Sequence, residues 1–334
     1  MYTIKYPKGF FVFLLIFLLK SSISLSADSK EGSFDMGEMI MHHILDDYQY
    51  EIVHGFAIPL PIIIYSEDNG FTIFSSSKLF DEDHVPLEEG YNGFKYYHGK
   101  LKPIDDNVSY VDLSITKNVF FLIITASLMI IVFLFVARSY SYKNEAPKGI
   151  QSLFEPIIIL IRDDVVKKNI GSNYEKYLPY MLTLFFFILF GNILGLLPAA
   201  ANLTGNIAVT LTLAVFTFLL TNLSGNKHYW KHIFWTPGIP FAMRFLILPI
   251  EIIGVLTKPI SLTIRLFAAI TAGHIVILSF IGFTFIFQSY FVGIFSAIFV
   301  VGLNLVELLV AAIQAYVFTL FSSIYIGMAT EDGH

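Results

Sequence analysis

Cysteine is absent from the 334 residues, which excludes disulfides, thiolate metal sites and cysteine nucleophiles. Charge is scarce: Asp, Glu, Lys and Arg make up 14% of the chain, against roughly a quarter in ordinary soluble domains. There is no internal repeat, no Gly-rich phosphate loop and no nucleophile–base set. Hydrolytic or group-transfer catalysis on this chain is therefore not expected, and neither is a cofactor or a nucleic-acid partner. What fills the sequence is apolar. Hydrophobic residues reach 55%, with 34 Phe and 18 Tyr, and the mean hydropathy is +0.69. Such a composition suits lipid-facing and interfacial surfaces, and the class is polytopic membrane protein.

The N-terminus reads as a secretory signal over residues 1–27. Lys5 and Lys8 form a basic start, Phe10 to Leu19 a short apolar stretch, and "SLSA" ends at Ala27 with small residues suited to cleavage. The other reading is a short first membrane helix, but about ten apolar residues fall below the ~20 that span a bilayer. Residues 28–118 are polar and acidic and are expected outside the cytoplasm, with "IVHGFAIPLPIIIY" and "FTIFSSSKLF" suited to short strands or surface-lying pieces. Residues 119–334 are expected to form the membrane domain. "MHHILDD" (Met41 to Asp47) has the residue types of a metal site, but adjacent histidines on a helix face different ways, so the reading is weak.

Spans are expected at Val119–Ala137, Leu178–Leu197 and Ile207–Leu223. Between the first two, "IQSLFEPIIILIRDDVVKKNIG" (Ile150 to Gly171) mixes apolar and charged residues and reads as an amphipathic helix at the membrane surface. Basic loops follow the first and third spans, while the loop after the second carries no charge. By the positive-inside rule the basic loops are cytoplasmic and the mature N-terminus lies outside. Two further apolar stretches, Phe245–Phe287 and Tyr290–Ala329, are each ~60 Å long as helices, twice the ~30 Å hydrocarbon core. Two long, steeply tilted helices are expected, joined near Gln288–Phe291 as an antiparallel hairpin. The fold class is then an all-α polytopic membrane protein with about five crossings and a cytoplasmic C-terminus.

Few polar groups interrupt those two stretches: Glu251, Lys258, Arg265, His274, Asn304, Glu307 and Gln314. From Thr257 to Val306 the only formal charges are Lys258 and Arg265. An arginine at the bilayer centre costs ~2.5–3.5 kcal/mol even on the lenient insertion scale. In an antiparallel hairpin, facing residues have nearly constant index sums. Arg265 then lies level with Gln314, His274 with Glu307, and Glu251 with Ala329 near the cytoplasmic end. Asn304 and Gln314 have a plain alternative as interhelical packing groups, and His274 as an ordinary interior histidine. Arg265 has an uncharged partner at its own level. Its charge therefore calls for an anionic partner on another subunit or a passing substrate. A His–Glu level leading toward an Arg level suits proton transfer part-way across a membrane.

"KPISLTIRLFAAITAGH" and "VELLVAAIQAYVFTLFSSIYIG" resemble the F-type ATP synthase subunit a, as do "MHHIL", "APKGIQSLFEPIIILIRDDVVKKNIG" and "GNILGLLP". The resemblance covers most of the chain after about Ser109 and says little of residues 50–108, which look like a lineage-specific insertion. It implies a stationary subunit of a bacterial inner (cell) membrane complex, without a catalytic site of its own. It also implies a c-ring, peripheral-stalk b subunits and other ATP synthase subunits as partners, with protons as the transported species. Arg265 matches the family's essential arginine and Gln314 the glutamine beside it, while Glu251, His274 and Glu307 match half-channel positions. Asn304 is a possible helper. Two departures stand out: His274 and Glu307 exchange the Glu and His of a common bacterial pattern, in the style of mitochondrial members, and Ala269 replaces an Asn found in many bacterial members. Two other classes compete. A secondary transporter normally carries internal repeats and broken half-helices, and a non-conducting anchor subunit leaves Arg265 without a purpose.

Overall fold

In the computed structural model, the described residues run from 36 to 331. Left out are 1–35, 141–148, 198–199, 236–239, 332–334 and short pieces between 38 and 107. The expected signal segment, and His42 and His43 of the weak metal reading, therefore lie outside the described residues. The chain divides into two compact units. The first takes residues up to 124 with 194–203 and 274–306, and the second 125–193, 204–273 and 307–334.

In the first unit, the short strands foreseen for the N-terminal region are present. Strands β1 (Gln49–Val53) and β2 (Phe56–Pro59) pair antiparallel. Strands β3 (Pro61–Ser66), β4 (Gly70–Ser75) and β7 (Tyr110–Asp112) form a three-stranded sheet with β3 in the middle. Strands β5 (Phe94–Tyr97) and β6 (Lys100–Pro103) make a further pair. Tyr48, Ile62, Ile64, Phe74, Leu79, Phe94 and Leu101 are buried together as the core. The Tyr48 hydroxyl donates to Asp112 Oδ2 at 2.5 Å. Burial, helped by that carboxylate, pushes the phenol above its ordinary pKa.

Helix α1 (Lys117–Ser139) follows β7 almost at once. Its 23 residues are mostly apolar, and Ile123, Ile130, Ile131, Leu134 and Phe135 are exposed. A length of ~35 Å at 1.5 Å per residue covers the bilayer core, so the bare apolar flank belongs to lipid.

The second unit is helical. Helix α2 (Ile150–Leu160) continues through a π-type turn at Ile161–Lys167 and a last turn at Lys168–Ile170. Helix α3 (Tyr174–Gly195) follows beyond Gly171, whose φ is +77°. The expected amphipathic segment thus exists, and its apolar side serves the protein: Ile161, Val165, Val166 and Ile170 are buried with Met181, Phe186 and Leu266 in the main core. Its charged side stays out, with Arg162 and Asp163 paired at 2.9 Å. Gly327 lets the last long helix approach this segment. A Cβ there would collide with the Asn169 carbonyl oxygen.

Helix α4 (Ile207–Leu223) is capped by Asn206, whose side chain accepts from Ala208 N. It turns by 103° into the short α5 (Lys227–Phe234). Helix α6 (Phe241–Phe287) runs unbroken for 47 residues through Pro249 and Pro259. The hydroxyl of Thr263 donates to the Pro259 carbonyl at 2.8 Å. After a joint at Gln288 (φ +44°), α7 (Tyr290–Thr330) runs for 41 residues, passing Gly302 without a break. The described residues thus hold four helices able to cross a membrane, or five with the bent α4–α5 pair, as the sequence led us to expect.

The α6–α7 hairpin has the expected register. In the first unit Phe280 stacks on Phe299, with ring centroids 5.4 Å apart, and Thr284 packs against Gly293. In the second unit Glu307 lies against Gly273, one position from the pairing that the index rule gives.

Candidate functional site

Arg265 sits half-buried on α6. Its guanidinium carbon lies 4.1 Å from the centroid of the Phe321 ring on α7. Nη2 reaches Ser261 Oγ at a long 3.5 Å, and Nη1 is buried with no hydrogen-bond partner. Among the described residues, no acidic side chain pairs with it. Gln314, half-buried on α7, is likewise not hydrogen-bonded to it among the described residues. The reason lies in side-chain direction. Helical side chains lean toward their own N-terminus, and in an antiparallel pair that direction carries Arg265 along α7 toward higher numbers. Phe321 is two turns beyond Gln314 on the same face, so the arginine leans away from its level partner and onto a ring.

Glu307 is 4% exposed. Its carboxylate presses on Gly273: a Cβ at that position would be 3.2 Å from Oε1. A larger residue at 273 would push the carboxylate aside, so glycine makes room for it directly before His274. His274 and Asn304 belong to the first unit, the histidine half-buried and Asn304 8% exposed. Glu251 is half-buried on α6.

Lys258 was visible in the sequence but had no assigned role. It is half-buried, with Nζ 5.7 Å from the Tyr229 ring and 5.2 Å from the Tyr325 ring. The same residues, with Thr217, Thr221 and Asn222, line a narrow cleft. Two cations at i and i+7 of α6 thus both rest on aromatic rings of α7. Lys258 and Glu251 are also seven apart, so they share a helix face, ~10.5 Å apart along the axis.

Asn192 was quoted only as part of "GNILGLLP". It is 1% exposed. Its amide donates to the Ala311 carbonyl at 3.2 Å and accepts from Thr204 Oγ1 at 2.6 Å. Ala311 lies one turn after Glu307 and nearly one turn before Gln314, so Asn192 pins the part of α7 that carries both. The available signal was an amide inside an otherwise apolar span, which must find a partner when buried.

Comparison with known proteins decides the family. The family model "ATP synthase A chain" matches residues 119–327, a range that includes Arg265, every other site residue above and all but the outermost residues of the helical region from α1 to α7. The chain belongs to the ATP synthase A chain family. Among similar ATP synthase a subunits, that of Chlorobium phaeobacteroides (strain BS1) is 40% identical over 317 residues, covering 92% of this chain and 80% of the relative. "ATP synthase subunit a 2" of Chlorobaculum tepidum is 41% identical over 311 residues, 89% and 76% of the two chains. That of Anaeromyxobacter sp. (strain Fw109-5) is 34% identical over 315 residues, 90% and 72%. Similarity to such relatives reaches far into the N-terminal region, where residues 39–120 match a domain of unknown function (DUF8433). In this A-chain member, then, the arginine stacked on Phe321, the buried glutamate and the aromatic-held lysine all lie within the matched range.

Proposed function

We infer that this chain is the proton-translocating a subunit of the membrane sector of an F-type ATP synthase. It is a multi-pass membrane protein and works as a member of the ATP synthase complex. The observation that carries the residue-level reading is Arg265, a membrane-depth cation stacked on Phe321 and lacking an acidic partner among the described residues. A charge held this way is available to an anion that comes and goes.

The chemistry follows from charge and solvation. The anion in this reading is a carboxylate on a rotating ring of c subunits, while peripheral-stalk b subunits hold the a subunit still. A proton enters from outside at the level of His274 and Glu307 and neutralises the carboxylate, which can then face lipid without the cost of a buried charge. After nearly a full turn the carboxylate meets a second path and releases its proton past Glu251 to the cytoplasm. Lys258 and its cleft border that second path. Arg265 stabilises the ionised carboxylate between the two paths, and its positive charge opposes direct proton leakage. Gln314 and Asn304 supply neutral hydrogen-bonding capacity next to the charged groups. The membrane potential contributes ~2.3 kcal/mol per proton per 100 mV. The long α6–α7 hairpin supports the reading, since two helices each about twice the bilayer thickness can lie obliquely along the side of a ring. We place the protein in a bacterial inner membrane, with the signal segment of residues 1–27 removed, residues 28–118 outside and the C-terminus in the cytoplasm.

Membranes stripped of the catalytic sector test the reading. Those containing this chain conduct protons passively and release small apolar ring subunits together with it on purification. A secondary transporter would purify without ring subunits, and an anchor would leave conduction unchanged when the chain is deleted.

A further inference from the structure

One face of the β4–β3–β7 sheet is apolar and bare. The strand register aligns Ile63 with Ile73, and Tyr65 with both Phe71 and Val111. Leu113 N donates to the Ile63 carbonyl at 2.9 Å, which extends the pairing by one residue. Six side chains therefore share this face. Of these, Phe71 is 69% and Ile73 68% exposed, and Tyr65, Val111 and Leu113 are exposed as well. Tyr65 and Phe71 pack on each other, with centroids 4.9 Å apart. The opposite face sends Ile62, Ile64 and Phe74 into the core. A half-solvated antiparallel sheet normally alternates apolar with polar. Here the outward face is apolar as well, and a contiguous patch of this kind marks a contact surface.

The fold indicates which surface. Pairing continues beyond β7, since Ile115 N donates to the Pro61 carbonyl at 3.1 Å, and α1 begins at Lys117. No slack linker separates the sheet from the span. The four steps from Leu113 to Lys117 reach at most ~14 Å. Exposed apolar residues continue along the chain from Val111 and Leu113 to Val119, Ile123 and Ile124 on the flank of α1. Tyr and Phe are residues that settle at headgroup level. The six-residue face carries no charge, whereas the surrounding region is strongly acidic. That acidity disfavours anionic lipid and leaves a zwitterionic surface as the partner.

We propose that the Ile63–Tyr65–Phe71–Ile73–Val111–Leu113 face seats on the zwitterionic bilayer surface next to α1, as a membrane-lying anchor for the domain of residues 39–120. The proposal rests on α1 being a membrane span. It gives the strand region a mechanical role, holding the outer end of α1 against the lipid while neighbouring parts of the complex turn.

The absence of cysteine makes the test direct. Phe71→Cys, Ile73→Cys, Lys100→Cys and Ile130→Cys are each made in the full chain. Each is labelled with a nitroxide and placed, one chain per disc, in phosphatidylcholine nanodiscs. Collisions with oxygen report lipid, and collisions with a water-soluble nickel chelate report water. The expected result is loss of nickel accessibility at 71 and 73, matching Ile130 on the lipid flank of α1, while Lys100 stays open to nickel. Adding Ile63→Asp should return position 73 to the aqueous reading and leave Ile130 unchanged. Nickel accessibility at 71 and 73 equal to that at 100 overturns the proposal. So does exclusion of both reagents, which signals cover by protein. An aqueous reading at Ile130 would instead remove the span assignment itself.

Discussion

Replacing Phe321 by leucine separates the ring from the volume it fills. The Arg265 guanidinium carbon lies 4.1 Å from the ring centroid, and its one side-chain hydrogen bond among the described residues is a 3.5 Å approach to Ser261. Cation–π contacts are worth ~0.5–1 kcal/mol at exposed sites and ~2 when desolvated. Arg265 is half-buried, so ~1–2 kcal/mol of orientation is lost. At 1.36 kcal/mol per decade that is a ~5- to 30-fold slower coupled step, if the arginine must be held in place when the carboxylate arrives. The assay is ATP-driven acidification of inverted membrane vesicles, normalised to assembled complex. Phe321→Tyr keeps the π face and should stay near the wild-type rate, and Phe321→Leu should fall into the stated range. Equal rates for leucine and wild type, or a tyrosine variant as slow as leucine, would refute the claim that the ring positions the arginine.

Asn192→Ala removes the donor to Ala311 and leaves the Thr204 hydroxyl without its acceptor. At ~1–3 kcal/mol per orphaned buried group, lower thermal stability and slower pumping are expected, and an unchanged melting temperature would count against the pin. Gly327→Ala drives a carbon into the Asn169 carbonyl oxygen. It should destabilise the solubilised subunit by ~1–3 kcal/mol or more, as overpacking does, and wild-type stability would mean the close approach is not real. Changing His274→Glu and Glu307→His together should retain more proton transport than either single change, because one imidazole and one carboxylate remain at that level. A double variant no better than the worse single one would remove the coupling expected of neighbours.

The sequence made the long elements legible because lipid demands it. Ile207–Leu223 matches its expected limits and Phe287 ends α6 as expected. The other apolar helices differ from expectation by a few residues at their ends, where polar residues such as Lys117 and Glu175 continue the turn into the headgroup region. Arg265 was legible for a related reason: in a stretch nearly free of charge, one arginine is conspicuous. Phe321 was not. One ring among 34 phenylalanines carries no signal until the lean of the arginine side chain is known. Constant index sums give the level of a Cα and not the reach of a long side chain, which is why they point to Gln314 and miss Phe321. The aromatic contacts of Lys258 stayed hidden for the same reason. The burial of Ile161 and Val165 was hidden by chemistry: an amphipathic stripe reads alike whether it meets lipid or protein, and only the rest of the fold decides.

ATP-driven proton pumping by a complex carrying Arg265→Ala tests the central claim most directly. Co-purification of the other ATP synthase subunits first establishes that the variant assembles. The assembled complex is expected to pump no longer, and Arg265→Lys should largely fail too, because a compact ammonium does not replace a planar fork stacked on Phe321. Undiminished pumping by the assembled Arg265→Ala complex would contradict the claim.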